Sequence, residues 1–252
     1  MRKFKPSRPR PLPFRPLLIV AAASLLMSAV APSAKADLIA YFNFEDSTIG
    51  WPPNFTSEAD QGLGVATAIT TNYFPANMTT VPTFGDINRV AGDVDTPPNG
   101  LHALGLTRTF LNNGAHFDIP LFTSQGFFSN MSVSFATSSG GNGNGFASVQ
   151  LFYSPNGGAI FIPGPTALLS GFPQLISLAI PAGANNDPLL VLRLVFTGGG
   201  TGNDLQTEID NIQVNGTIVP EPTTIAGGLL GVLGLCWHQR RRLIRCVRLR
   251  RA

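Results

Sequence analysis

Apolar residues in this chain recur with a period of two, in short runs. Val149, Leu151 and Tyr153 alternate with Gln150 and Phe152, and Val133 and Phe135 alternate with Ser132 and Ser134. Successive side chains of a strand point to opposite faces, so this alternation reads as half-buried β-strand. Between 37 and 218 no window keeps an apolar period of 3.6 over three turns. The pattern predicts strands over 38–44, 101–110, 131–136, 146–153, 175–180, 189–196 and 206–214, with two weaker ones near 65–70 and 81–84. Residues 189–196 are apolar on both faces except at Arg193, which marks a central strand. Glycine, proline and asparagine clusters separate the runs, and the proline-rich stretch 49–99 reads as long loops over one edge. Seven or more short strands with turns between them predict an all-β fold, a β-sandwich of jelly-roll type.

Both ends depart from this pattern. Arg2, Lys3, Lys5, Arg8, Arg10 and Arg15 precede an apolar run over 17–30, and Ala34 and Ala36 then place small residues where a signal peptidase needs them. Residues 1–36 read as a secretory signal peptide with cleavage before Asp37, on the general secretion route because twin arginines are absent. At the other end, 219–252 hold Pro220, Glu221 and Pro222, an uncharged apolar run over 223–237, and a tail with seven arginines. This reads as an extended linker, a short transmembrane helix and a cationic stop. Fifteen residues rise only ~22 Å against a hydrocarbon core of ~30 Å. Gly227, Gly228, Gly231 and Gly234 weaken the helix further. A segment this short suits a transient signal better than a permanent anchor.

Setting the ends aside changes the charge. The whole chain has a pI near 9.2, yet 37–218 contains three arginines, no lysine and thirteen carboxylates, a net charge of −10. Phosphate-directed binding of nucleic acid is therefore disfavoured. Cys236 and Cys246 both lie in the tail, so the predicted domain has no disulfide and rests on its core alone.

The three-part tail resembles the bacterial PEP-CTERM sorting signal. The resemblance implies reading by an exosortase-like membrane protease near Pro220, Glu221 and Pro222, and passage from a membrane-anchored precursor to the cell surface or extracellular matrix. It covers about the last seventh of the chain, and the long basic part with Cys246 departs from the pattern.

A second resemblance lies in the ends of the body. Phe42-Asn43-Phe44-Glu45-Asp46 and Glu208-Ile209-Asp210-Asn211-Ile212 are similar to the first and last strands of jelly-roll carbohydrate-binding and galactose-binding-like domains. That likeness implies a structural calcium where the ends meet, with Glu45 and Asp210 as carboxylate ligands. Ile209 and Ile212 are three apart, so the last strand changes phase at Asp210-Asn211, which predicts a β-bulge there.

Other candidates carry little chemistry. Residues 199–204 open like a calcium-binding nonapeptide repeat but occur once, with Gln206 where an apolar residue belongs. Residues 140–145 lack the lysine of a phosphate loop. His102 and His116 have no zinc or triad partners at motif spacing, and Asp93, Asp95 and Asp118 are not set by sequence into a glycosidase pair. The leading expectation is an exported, non-enzymatic structural or adhesive protein. The alternative is a calcium-stabilised carbohydrate-binding module, with Trp51, Tyr41, Tyr73 or Tyr153 stacking on sugar and extracellular polysaccharide as partner. A polysaccharide hydrolase comes third.

Overall fold

The computed structural model describes residues 36–44, 56–57, 59–63, 66, 68–82, 87–91, 102–122, 127–139, 145–200, 206–219 and 222–249. The chain divides into two compact units, Met1–Lys35 and Ala36–Ala252, and the first lies outside the described residues.

The described residues form thirteen strands, in order: β1 (Asp37–Phe42), β2 (Thr56–Ser57), β3 (Gln61–Gly62), β4 (Ile69–Thr71), β5 (Met78–Pro82), β6 (His102–Thr107), β7 (His116–Phe122), β8 (Phe127–Ser139), β9 (Ser148–Ser154), β10 (Ile162–Leu168), β11 (Gln174–Ala179), β12 (Leu189–Thr197) and β13 (Gln206–Val219). They form two sheets. One runs β11-β8-β13-β1-β3, with β6 joined to β13 and β5 to β6; the other runs β10-β9-β12-β7-β4-β2. All the pairings are antiparallel.

The inner faces meet in one apolar core. Leu190, Leu192, Leu194 and Phe196 point in from β12, Val149, Leu151 and Tyr153 from β9, and Val133 and Phe135 from β8. The alternation that predicted strands is therefore the alternation of the core face and the outer face of each sheet. At the centre, Phe196 packs edge-on against Phe117 at 6.0 Å and near Phe146 at 5.8 Å, while Tyr73 stacks on Phe117 at 5.4 Å. Such pairs add about 0.5–1.5 kcal/mol each beyond the area they bury.

Besides the two-residue strands β2 and β3, two strands escaped the sequence pattern, and each holds proline. In β10, Pro163 and Pro165 sit on an edge strand, where a missing N–H breaks no ladder. In β7, Phe196 N donates to Ala115 O, so the register turns the N–H groups of 116, 118 and 120 away from β12. Pro120 thus lacks its donor on the β4 side, beyond the Thr70–Asp118 pair where the β4 ladder ends.

The bulge predicted at Asp210-Asn211 is present. Asp210 pairs with Ala136 and Gln213 with Ser134, leaving two residues opposite one, and Asn211 has φ 51°. Burial changes phase there, from Thr207 and Ile209 to Ile212 and Val214. The same point is a handover: before it β13 pairs with β6 up to Ile209, after it with β1 from Ile212 onward.

After β13 a single helix, α1 (Pro222–Leu249), is the one α-helix among the described residues. Pro222 begins it, as fits a residue with no N–H to satisfy in the first turn. It runs on through the arginine tail rather than ending at Trp237. No helix among the described residues is long and apolar enough to cross a membrane, which corrects the transmembrane reading of 223–237. The cause is in the sequence: four glycines thin a short apolar run, and His238, Gln239 and the arginines follow at once.

Candidate functional site

The outer face of the six-stranded sheet carries a row of chemistry. Because Leu192 and Leu194 point inward from β12, Arg193 between them points out, and the same parity turns Asp118 and His116 out from β7 and Phe152 and Gln150 out from β9. Register then aligns them: Thr70 lies opposite Asp118, Asp118 opposite Arg193, Arg193 opposite Phe152, and Phe152 opposite Pro163. Four strand spacings make this row ~19 Å long. A second row beside it holds His116, Val195, Gln150 and Thr166.

Arg193 is fixed on two sides. Its Nε donates to Asp118 Oδ1 at 2.6 Å and one terminal nitrogen donates to Oδ2 at 2.7 Å, a bidentate fork. The ring of Phe161, from the turn between β9 and β10, lies 3.6 Å from the guanidinium carbon. A cation held over an aromatic face gains about 0.5–1 kcal/mol at an exposed site. With two of its five N–H groups on Asp118, Arg193 keeps three for another partner, and the carboxylate keeps further lone pairs. His116 Nε2 stands 3.8 Å from Asp118 Oδ2. Burial lowers the His116 pKa below its usual 6.5, against an opposing pull from Asp118. The face thus offers a half-buried, preset donor and acceptor pair, an imidazole and two aromatic rings side by side.

The residues expected to stack on sugar lie elsewhere. Tyr73 and Tyr153 are buried in the core, and Tyr41 is buried on the outer face of the other sheet. There its hydroxyl donates to Asn211 Oδ1. Trp51 is outside the described residues. Tyr73 and Tyr153 are core residues and Tyr41 is covered on the outer face, so burial corrects the stacking role given to these tyrosines. Arg193, Asp118 and His116 were each noticed in the sequence, but nothing in it joined them, since β7 was not recognised as a strand.

At the meeting of first and last strands, Asp210 is buried and its Oδ1 accepts the Asn211 N–H at 2.8 Å. Oxygens around the bulge are bound to amide donors. Asn211 Nδ2 donates to Ile87 O at 3.0 Å, Asn88 Nδ2 to Asn211 O at 2.6 Å, and Gln213 Nε2 to Asn88 O. This network pins residues 87–88 over the sheet. Calcium takes 6–8 oxygens, and among the described residues no group of three or more acidic, histidine or cysteine side chains gathers to hold a metal. Glu45, the expected second ligand, is outside the described residues, as are Ala34, Pro220 and Glu221; Ala36 and Asp37 lead directly into β1, and Pro222 opens α1.

No protein-family model matches the chain, and no curated protein sequence matches it. Solved structures similar in course include the CBM22-1 xylan-binding domain of Xyn10C from Paenibacillus barcinonensis, at 11% identity, covering 75% of this chain and 100% of that one, with a TM-score of 0.41. TmCBM61 in complex with β-1,4-galactotriose is 13% identical over 58% of this chain and 85% of that one, TM-score 0.35. The K2 cleaved adhesin domain of Lys-gingipain is 13% identical over 72% and 97%, TM-score 0.36.

Proposed function

We propose that the β-sandwich is a carbohydrate-binding domain of an exported protein, and that it holds a polysaccharide chain across the outer face of the six-stranded sheet. One observation carries this reading: the aligned row Thr70, Asp118, Arg193, Phe152, Pro163 with Phe161 stacked on the guanidinium. A sugar ring presents hydroxyls at its edge and C–H groups on its faces. A fixed Arg–Asp fork can donate to one hydroxyl and accept from its neighbour, and an aromatic ring packs against the C–H face. The row is long enough for several sugar units. Binding here needs no bond breaking, in keeping with a non-enzymatic role.

The test is affinity electrophoresis of the exported protein through gels containing neutral plant and bacterial polysaccharides. Phe161→Ala and Asp118→Asn should each weaken retention at least tenfold while leaving the melting temperature within a few degrees. Retention equal to wild type in both variants refutes the site.

The resemblance of the tail supports a second part of the proposal, that the protein reaches the cell surface or extracellular matrix as a substrate of an exosortase-like protease acting at Pro220, Glu221 and Pro222. A calcium held by Glu45 and Asp210 would stiffen the meeting of the first and last strands. Its test is the melting temperature with calcium and with chelator. A fall under chelator that is lost in Asp210→Ala supports the ion, and an unchanged melt removes it.

A further inference from the structure

The two ends of the sandwich differ. Strand β6 ends at Thr107 opposite Gln206, where β13 begins; β8 ends at Ser139 opposite Thr207; β12 ends at Thr197 opposite Ser148, where β9 begins. Thr71, the last residue of β4, lies opposite Phe117 near the start of β7, while Leu168 ends β10 opposite Ser148 and Gln174 begins β11 opposite Thr137. The described connecting residues 72–77, 108–115, 145–147, 169–173 and 198–200 therefore lie at one end. Asp37 and Val219 lie at the other, beside Gly216 and Phe127.

The gathered end carries the most exposed apolar side chains of the sandwich among the described residues. Phe110 is 88% exposed, Leu111 86%, Phe172 80%, Leu168 78% and Phe74 69%. The 108–115 turn is firmly held. Asn112 is buried beneath the 108–115 tip, where its Oδ1 accepts the Thr109 N–H at 2.8 Å and its Nδ2 donates to Thr107 O at 2.7 Å. Asn113 Oδ1 accepts the Gly198 N–H at 2.9 Å, and Gly114 N donates to Phe196 O at 2.9 Å. Buried Arg108 donates to Gly198 O at 3.1 Å and lies over the Phe146 ring. Five polar contacts thus hold a turn whose tip shows Phe110 and Leu111 to water. Among these described connecting residues the one charged side chain is Arg108, which is buried.

We infer that this end is a self-association surface, on which a second copy of the chain docks tip to tip. An isologous contact needs a patch complementary to itself, and a patch of exposed phenylalanine and leucine side chains meets that need. Elsewhere two copies, each with a domain of net charge −10, repel. A lipid surface fits less well, because apolar tips that dock on bilayers are joined by exposed basic side chains that attract the headgroups. Area suits a dimer as well. Three phenylalanines at roughly 150–250 Å² each, with two leucines, approach the ~800 Å² per partner of a standard interface. The strand order sets the two groups, Phe74 with Phe110 and Leu111 on one side and Leu168 with Phe172 on the other, about three strand spacings or ~14 Å apart.

Sedimentation velocity of the exported protein from about 1 to 100 μM tests the inference. Wild type should pass from monomer to dimer in that range, the combined Phe110→Ser and Leu111→Ser variant should dimerise at least tenfold more weakly, and Phe172→Ser alone should weaken it too. Ile160→Ser, at the opposite end, should dimerise like wild type. A wild type that stays monomeric, or tip variants that dimerise as well as it does, overturns the proposal. Flotation of wild type but not the tip variant with phosphatidylcholine vesicles, without dimers, also overturns it and assigns the tips to lipid. Polysaccharide retention of the tip variants should equal wild type, which separates this surface from the sheet face.

Discussion

His116 stands where a pH dependence should show. Its lowered pKa, caused first by burial, means the folded chain keeps the imidazole neutral in a range where the unfolded chain binds a proton. The associated stability is complete above the unfolded value of about 6.5 and is lost as the pH falls through it towards the folded value. Melting temperatures between pH 7.5 and 5 should therefore fall more steeply for wild type than for His116→Gln. Parallel curves would remove His116 from the account. Asp118→Asn should cost only about 1 kcal/mol in the same melts, since Arg193 and Asp118 are both partly open to solvent. Tyr73 poses the reverse case: burial raises its pKa well above 10.0, and its hydroxyl lacks a hydrogen-bond partner among the described atoms. Tyr73→Phe should keep the stack on Phe117 and melt at or above the wild-type temperature, because an unmet hydroxyl is removed with little change of shape.

Among the elements, β13 shows what the sequence reveals and what it hides. Its bulge was legible because the apolar parity breaks between Ile209 and Ile212, and a break in parity is a local property. That the same bulge passes the strand edge from β6 to β1 was not legible, since partners come from distant chain. Strands β7 and β10 were missed for a local reason, their prolines, although prolines on a free edge or where a ladder stops cost little. The candidate site suffered most from this, because Asp118 sits in the missed β7, and the row becomes visible only once β4, β7, β12, β9 and β10 are in register. At the bulge, Asn211 combines a positive φ with hydrogen bonds to Tyr41 and Ile87. Asn211→Ala should cost about 2–4 kcal/mol in denaturant unfolding, for two partners left unmet and a strained backbone. Asn211→Gly, which relieves the backbone alone, should recover about 1 kcal/mol of that.

At the level of the whole molecule, Asp37 and Val219 lie at the end of the sandwich opposite the apolar tips. The exported form is expected to begin at Asp37 by mass spectrometry, and detection of Met1 in it would contradict the signal peptide. Glu221→Ala should leave an uncut precursor in a host that has the protease, whereas a plain anchor predicts the same full-length membrane protein whether or not the protease is present. The central place of β13 bears on the order in which the larger sheet forms. Strands β1, β6 and β8 all pair with it, and β1 does so across about 175 residues. Pairings so far apart in sequence form slowly, because a long loop closes before any contact repays it. The larger sheet has no centre until residues 206–219 have been synthesised, so the nascent chain should stay unfolded and threadable through the secretion channel almost to its last strand. A chain ended before Gln206 should accordingly show no cooperative unfolding and rapid proteolysis at every site, while one ended after Val219 should unfold in a single step.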